Sequence, residues 1–163
     1  MCLMKKLILA ATLLSGLGVS AWMAQAASTS GQFNVNVTLN STCSLAAITA
    51  LDFTYTSFQG AAATATGGGF SVTCTNTLPY TFGLQAGSGA ATPPGAATVT
   101  VTDNAVNLQY TVGTSAAGGT GNGSAQSYNV TGTMVSGQSD TCATASCTNA
   151  AATNKTQTLI LNF

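Results

Sequence analysis

Residues 70–84 read FSVTCTNTLPYTFGL and contain two short runs in which apolar and polar side chains alternate. The apolar positions of these runs are Phe70, Val72 and Cys74, followed by Tyr80, Phe82 and Leu84. A period of two is typical of a β-strand with one buried face, because successive side chains point to opposite sides of the strand. The stretch therefore predicts two strands, the second of which begins after Pro79.

The same alternation recurs along the rest of the chain and predicts further short strands. Its apolar positions are Phe33, Val35, Val37 and Leu39; Val99 and Val101; Leu108, Tyr110 and Val112; Tyr128, Val130 and Met134; and Leu159, Leu161 and Phe163. Gly- and Ala-rich stretches such as Gly87–Ala97 and Ala116–Ala125 separate these runs and are predicted to be loops. Short strands divided by turn residues indicate an all-β sandwich of antiparallel sheets.

The amino terminus has the features of a secretory signal peptide. Lys5 and Lys6 precede an apolar run, Leu7–Val19, and residues 24–26 form an Ala-Gln-Ala cleavage pattern. The apolar run is shorter than the roughly 20 residues that a membrane-spanning helix needs. We therefore expect residues 1–26 to be removed by cleavage before Ala27, and the remaining chain to be exported.

The cysteines agree with export. Of the five cysteines, Cys2 lies in the predicted signal peptide, which leaves Cys43, Cys74, Cys142 and Cys147. An even number in an exported chain indicates two disulfides, because oxidising compartments favour them. Four cysteines allow three pairings; we favour Cys43–Cys74 with Cys142–Cys147, although the sequence alone does not select one. Zinc binding is disfavoured, since the spacing of the last two cysteines is unsuitable and the chain has no histidine.

The composition argues against catalysis, cofactor binding and nucleic-acid binding. After residue 26, the only charged side chains are Asp52, Asp103, Asp140 and Lys155. Binding to phosphates needs lysine or arginine, and general acid–base catalysis uses residue types that this chain largely lacks. The glycine run at 67–69 lacks the lysine of a phosphate-binding loop, so we interpret it as a turn. We expect no catalytic residue, cofactor or metal.

Several short segments occur in an order that resembles the spore coat protein U domain family, which includes major subunits of archaic chaperone–usher pili. The segments are GQFNVNV at 31–37, Cys43, LDF at 51–53, ATGG at 65–68 leading into SVTC at 71–74, and LILNF at 159–163. Residues 92–125 match this pattern poorly, and the approach to the last strand, ATNKT at 152–156, also departs from it. The strand register of about 92–125 therefore stays open.

This resemblance implies an immunoglobulin-like, pilin-type sandwich that lacks its final strand and is completed by a donor strand from another subunit. It implies an incomplete domain at 41–163 and a donor-strand extension at 27–40. The donor side chains are then Phe33, Val35, Val37 and Leu39, and the acceptor groove and chaperone-binding edge include Leu159, Leu161 and Phe163. The implied partners are identical subunits in a head-to-tail fibre, a periplasmic chaperone, an outer-membrane usher and a tip adhesin.

By the same resemblance, the protein is expected to pass through the periplasm to the cell surface as part of a fimbrium that supports adhesion and biofilm formation. The residues alone leave other interpretations of the structure and function open. Residues 33–39 could form the first strand of the protein's own fold. The chain could instead be a spore-coat or surface-layer component outside a pilus, or a monomeric secreted binding module.

Overall fold

The structure, a computed structural model, describes residues 27–149 and 155–163. The predicted signal peptide, residues 1–26, lies outside the described residues. The chain divides into two units, the first of which ends at Val37. Its described residues, 27–37, contain no helix or strand and are exposed.

The described residues of the second unit, Thr38–Phe163, form eleven β-strands. The strands are β1 (Cys43–Leu45), β2 (Leu51–Asp52), β3 (Ala63–Thr64), β4 (Thr66–Gly67), β5 (Gly69–Cys74), β6 (Pro79–Ala86), β7 (Val99–Asp103), β8 (Leu108–Thr114), β9 (Gly118–Thr120), β10 (Gln126–Met134) and β11 (Gln157–Asn162). Every ladder between them is antiparallel. The prediction of an all-β fold is confirmed.

The strands form two main sheets that face each other. In the first sheet the order is β1-β5-β10-β8-β7, with β3 also paired to β10, and in the second it is β11-β6-β9. Strands β2 and β4 form a separate pair. The rings of Phe70 on β5 and Phe82 on β6 meet edge to face at 5.2 Å between the sheets. Packing of the two inner faces produces the β-sandwich that the alternating sequence predicts.

The alternation at residues 70–84 corresponds directly to the core. Phe70, Val72 and Cys74 are buried on β5, and their neighbours Ser71 and Thr73 are half-buried on the other face. On β6 the buried positions again follow the apolar residues of the sequence. The sequence places these side chains correctly because each strand covers the core with one face only.

Strand β9 lies inside the stretch Ala116–Ala125, where the sequence predicts only a loop. Gly118 and Gly119 run antiparallel to the start of β6 and pass close to the rings of Tyr80 and Tyr128. A Cβ atom at Gly119 would come within 2.7 Å of the Tyr80 hydroxyl. Only glycine allows this approach, and glycine carries little strand propensity, so the sequence pattern gives no signal for β9.

Two disulfides fasten the second unit, and they join the cysteines in the pairs that the sequence analysis favours. Cys43 on β1 is the ladder partner of Cys74 at the end of β5, with their Cα atoms 4.1 Å apart. Cys142 and Cys147 are joined within the irregular segment after β10, with Cα atoms 5.7 Å apart. The first disulfide fixes the edge strand β1 to its neighbour β5.

Candidate functional site

Strand β11 is at the edge of its sheet. It pairs with β6 along all six of its residues, and within the described ranges, 27–149 and 155–163, no other strand pairs with it. Its core-facing side chains Leu159 and Leu161 lie opposite Leu84 and Phe82. Among the described residues, no strand pairs with the other side of β11 from Thr158 to Asn162, and an edge of this kind can accept an added strand.

An open groove of about 1070 Å³ adjoins the start of this edge. One side is the segment 48–57 that contains β2, and the other includes Leu159 of β11. Its apolar and aromatic lining residues are Ile48, Leu51, Phe53, Tyr55, Leu84, Val106, Leu108, Tyr110, Val112, Val130, Met134 and Leu159. Several of these, including Val112 and Met134, are also buried members of the core cluster. A ligand in the groove would therefore contact side chains of the sandwich core.

Hydrogen bonds hold the sides of the groove in position. The backbone N–H of Gln138 donates to the Tyr55 hydroxyl at 2.8 Å, and the Ser57 hydroxyl donates to the Asp140 carboxylate. The Gln157 side chain donates to the Tyr110 hydroxyl at 2.9 Å, which ties the start of β11 to β8. Because these bonds connect four separate parts of the chain, the groove is built into the fold.

Tyr110 remains uncharged in this setting. Burial raises the pKa of Tyr110 above its usual range, the hydrogen bond from Gln157 lowers the pKa, and the Asp103 carboxylate raises it. The phenol therefore keeps its proton at neutral pH, where an unperturbed tyrosine is already protonated. This side of the groove presents a neutral aromatic surface, which suits apolar side chains.

The charged side chains of the described residues gather at this groove. Asp52, Asp103, Asp140 and Lys155 all line it. Asp103 is 1% exposed, and its Oδ1 atom accepts hydrogen bonds from the backbone N–H groups of Ala105 and Val106. Its Oδ2 atom is buried and has no hydrogen-bond partner among the residues that the structure describes. The lining of the groove is about equally polar and apolar, and its charges are confined to these few positions.

The residues predicted as donor side chains are the most exposed large apolar residues of the described chain, apart from Phe58. The exposed fractions are 85% for Phe33, 73% for Val35, 85% for Val37 and 76% for Leu39. They lie in an irregular segment, so the strand that the alternation at 33–39 predicts is wrong for the single chain. Four unburied apolar side chains at alternating positions are costly in water.

The three residues predicted for the acceptor edge differ in their position relative to the groove. Leu159 lines the groove, and Leu161 is half-buried against the core on the same face of β11. Phe163 follows the strand, is 63% exposed and is not among the groove-lining residues. The structure therefore brings one of these three side chains into the groove itself.

The sequence analysis missed most of the groove. Leu51, Phe53 and Tyr55 alternate with polar residues, and this period-two pattern could have identified the side that they form. The groove-lining residues of β8 and β10 were predicted only as strand residues facing a core. Their exposure to the groove depends on where β11 lies, which no local pattern reveals.

Within the described residues there is no cluster of three or more side chains suited to bind a metal ion. The same residues include no helix of the length and apolarity needed to cross a bilayer.

The fold and the groove define the class of protein: an antiparallel sandwich with an open edge strand beside a groove. The family model of the Spore Coat Protein U domain matches residues 29–159, so the chain belongs to this family. The family consists of surface-associated structural proteins of the pilus or spore-coat type and is not a family of enzymes. Neither the search of curated proteins nor the search of solved structures found a significant match.

Proposed function

We propose that this chain is a structural subunit of a bacterial chaperone–usher surface pilus and that it polymerises by donor-strand exchange. The observation that carries the proposal is the open groove, lined in part by side chains of the core, beside the edge strand β11. A sandwich in this state is completed when an extended segment of another chain adds to the edge and places apolar side chains in the groove.

The proposed donor is the extension at 27–40 of a second copy. Its residues Phe33–Leu39 would span about 20 Å as a strand, close to the length of the six-residue strand β11, about 17 Å. The apolar side chains would enter the groove, and Asn34, Asn36 and Thr38 would face solvent because strand side chains alternate. The remaining residues, 41–163, would form the incomplete domain.

The energetics favour such an exchange. Burying the four exposed apolar side chains at about 1.5–3 kcal/mol each gives about 6–12 kcal/mol of transfer free energy. New backbone hydrogen bonds add to this, and the ordering of a flexible segment opposes it. The contact is head-to-tail and does not close on itself, so its repetition produces a fibre.

The remaining parts of the proposal follow from the family and the export features. Residues 1–26 would direct the chain to the periplasm, where a chaperone supplies the first strand against β11. An outer-membrane usher would then assemble the subunits behind a tip adhesin, and the fibre would support adhesion and biofilm formation at the cell surface. The absence of catalytic motifs agrees with a structural role.

An unheated denaturing gel tests the proposal. The chain beginning at Ala27 would be co-expressed with a periplasmic chaperone of the chaperone–usher class, released to assemble, and compared with a version lacking Ala27–Leu39. We expect a ladder of oligomers that dissociate on heating from the full chain and no ladder from the shortened one. A stable monomer that unfolds when the segment is removed would instead show that residues 33–39 complete their own sandwich, as in a monomeric secreted module.

A further inference from the structure

The second unit has two poles, at opposite ends of the nine-residue strand β10. At one pole Gln126 lies beside Val72, near the disulfide between Cys43 and Cys74; we call this the Cys43 pole. At the other pole β10 ends at Met134 and continues into the turn 135–138; we call this the Phe58 pole. A strand of this length separates the poles by about 27 Å.

Two large apolar side chains stand exposed at the Phe58 pole. Phe58 is 73% exposed and Val135 is 58% exposed. Their turns are joined, because the backbone N–H of Phe58 donates to the carbonyl of Gln138 at 3.1 Å and that of Gly137 donates to the carbonyl of Gln59 at 2.9 Å. An aromatic residue held outside the core on a fixed turn contributes nothing to the packing of its own domain.

The backbone at Phe58 strengthens this observation. Its φ angle is +61°, in the left-handed region that bulky side chains rarely adopt. Such a conformation is strained, and it persists where the surrounding structure imposes it. Here the hydrogen bonds to the neighbouring turn impose it, and the result is an aromatic ring directed away from the domain.

Strand β11 runs from the Phe58 pole towards the Cys43 pole. Gln157, at its start, bonds to the Tyr110 hydroxyl on β8, and Asn162, at its end, pairs with Thr81 beside Tyr80. The Tyr80 hydroxyl in turn bonds to the Gln126 side chain. All ladders in the structure are antiparallel, so an added strand of the same kind would run from the Cys43 pole to the Phe58 pole. Its Leu39 would lie at the Phe58 pole.

The linker that follows the donor strand is very short. Only residues 40–42 separate Leu39 from Cys43. Four residue steps span at most about 14 Å. Thr42 is itself bound to its own domain, because its backbone exchanges hydrogen bonds with Thr75. The Cys43 pole of the donor copy must therefore lie against the Phe58 pole of the acceptor copy.

From this geometry we infer that Phe58 and Val135 form a second contact between neighbouring subunits, in which they pack against the Cys43 pole of the next copy. The inference rests on the proposed donor-strand exchange and adds a contact between the globular domains. This contact would fix the angle between successive subunits, which a strand in a groove with a flexible linker would leave free.

The test compares two properties of three proteins: the chain beginning at Ala27, its double variant Phe58→Ser with Val135→Ser, and the matched control Phe58→Leu with Val135→Ile, which keeps the apolar surface. One property is the affinity for an acetylated synthetic peptide of residues 31–39, which occupies the groove but carries no domain. The other is the half-life of assembled oligomers in denaturing detergent at a fixed temperature.

We expect the three proteins to bind the peptide within about twofold of one another, because both changed side chains lie outside the groove. The oligomers of the serine variant should dissociate about tenfold to a hundredfold faster than wild type, as expected when one or two buried apolar contacts are lost. The control should resemble wild type. Equal half-lives for all three, with normal peptide binding, would overturn this inference and leave donor-strand exchange intact. Failure of the wild-type chain to bind the peptide or to assemble would overturn both.

Discussion

Replacing Val37 by asparagine separates donor-strand binding from the stability of the domain itself. Val37 is 85% exposed in an irregular segment, so its replacement removes no core contact of its own chain. In the assembled state the same side chain is proposed to lie in the groove of a second copy. Val37→Asn should therefore leave the unfolding of the domain unchanged and weaken its binding to another copy.

The size of the effect follows from two contributions. Loss of a fully buried valine side chain removes about 1.5–2 kcal/mol of transfer free energy. An asparagine amide buried against apolar residues such as Val112 and Met134, without a hydrogen-bond partner, costs a further 1–3 kcal/mol, approximately. The sum, about 2.5–5 kcal/mol, corresponds to a decrease in affinity of about seventyfold to several thousandfold.

A competition assay read by fluorescence anisotropy measures this decrease in affinity directly. A labelled peptide of residues 31–40 would bind the groove, and unlabelled peptides with Val37→Asn or Asn36→Ala would compete with it. Asn36 is on the face proposed to point to solvent, so its replacement should change the affinity by about twofold or less. The reasoning would be refuted if both peptides lost affinity equally, or if Val37→Asn competed as well as the natural sequence.

Three further predictions concern the stability of the second unit. Replacing Cys43 and Cys74 by alanine should lower the free energy of unfolding by about 3–4 kcal/mol, because the disulfide closes a loop with a sequence separation of 31 residues; chemical denaturation with and without reductant measures it. Burial raises the pKa of Tyr80 to about 12, so the folded state keeps a proton that the unfolded chain loses near pH 10. Stability should therefore not depend on this group well below pH 10, and should fall by about 1 kcal/mol per pH unit as the pH rises from 10 to 12. Tyr80→Phe should make this fall less steep, and the raised pKa of Tyr110 should account for the part that remains. Gly83→Ala should lower the free energy of unfolding by about 1–3 kcal/mol, because the added Cβ would collide with a neighbouring backbone carbonyl. The control Gly89→Ala adds a Cβ with only ordinary contacts and should change this free energy by less than about 0.5 kcal/mol.

The long strands could be predicted from the sequence because each has one buried face. The alternation at Phe70–Cys74, Leu108–Val112 and Leu159–Leu161 corresponds to strands β5, β8 and β11. The short strands β1–β4 are two or three residues long and offer too few positions for a period to be recognised. Their conformation is imposed by the ladders into which they fit.

The proposed donor segment could be predicted from the sequence, whereas the groove could not. The exposed apolar residues from Phe33 to Leu39 were identifiable because the alternating pattern is contained in one continuous segment. The groove joins residues from segments more than 100 positions apart, such as Ile48 and Leu159, and only the fold brings them together. The exposure of Phe58 could not be predicted for a different reason. It follows from a backbone conformation in the left-handed region, and no neighbouring residue indicates that conformation.

The most direct test of the central claim is to identify whose groove receives the donor strand. Chains beginning at Ala27 would carry a diazirine-bearing leucine analogue at Leu39, with half of them labelled with ¹⁵N. After mixed assembly and irradiation, mass spectrometry would identify each cross-linked pair. Donor-strand exchange predicts that about half of the cross-links join a light to a heavy chain and that they attach to groove-lining residues such as Leu108 or Tyr110. Cross-links confined to single chains would contradict it and show that the segment completes its own sandwich.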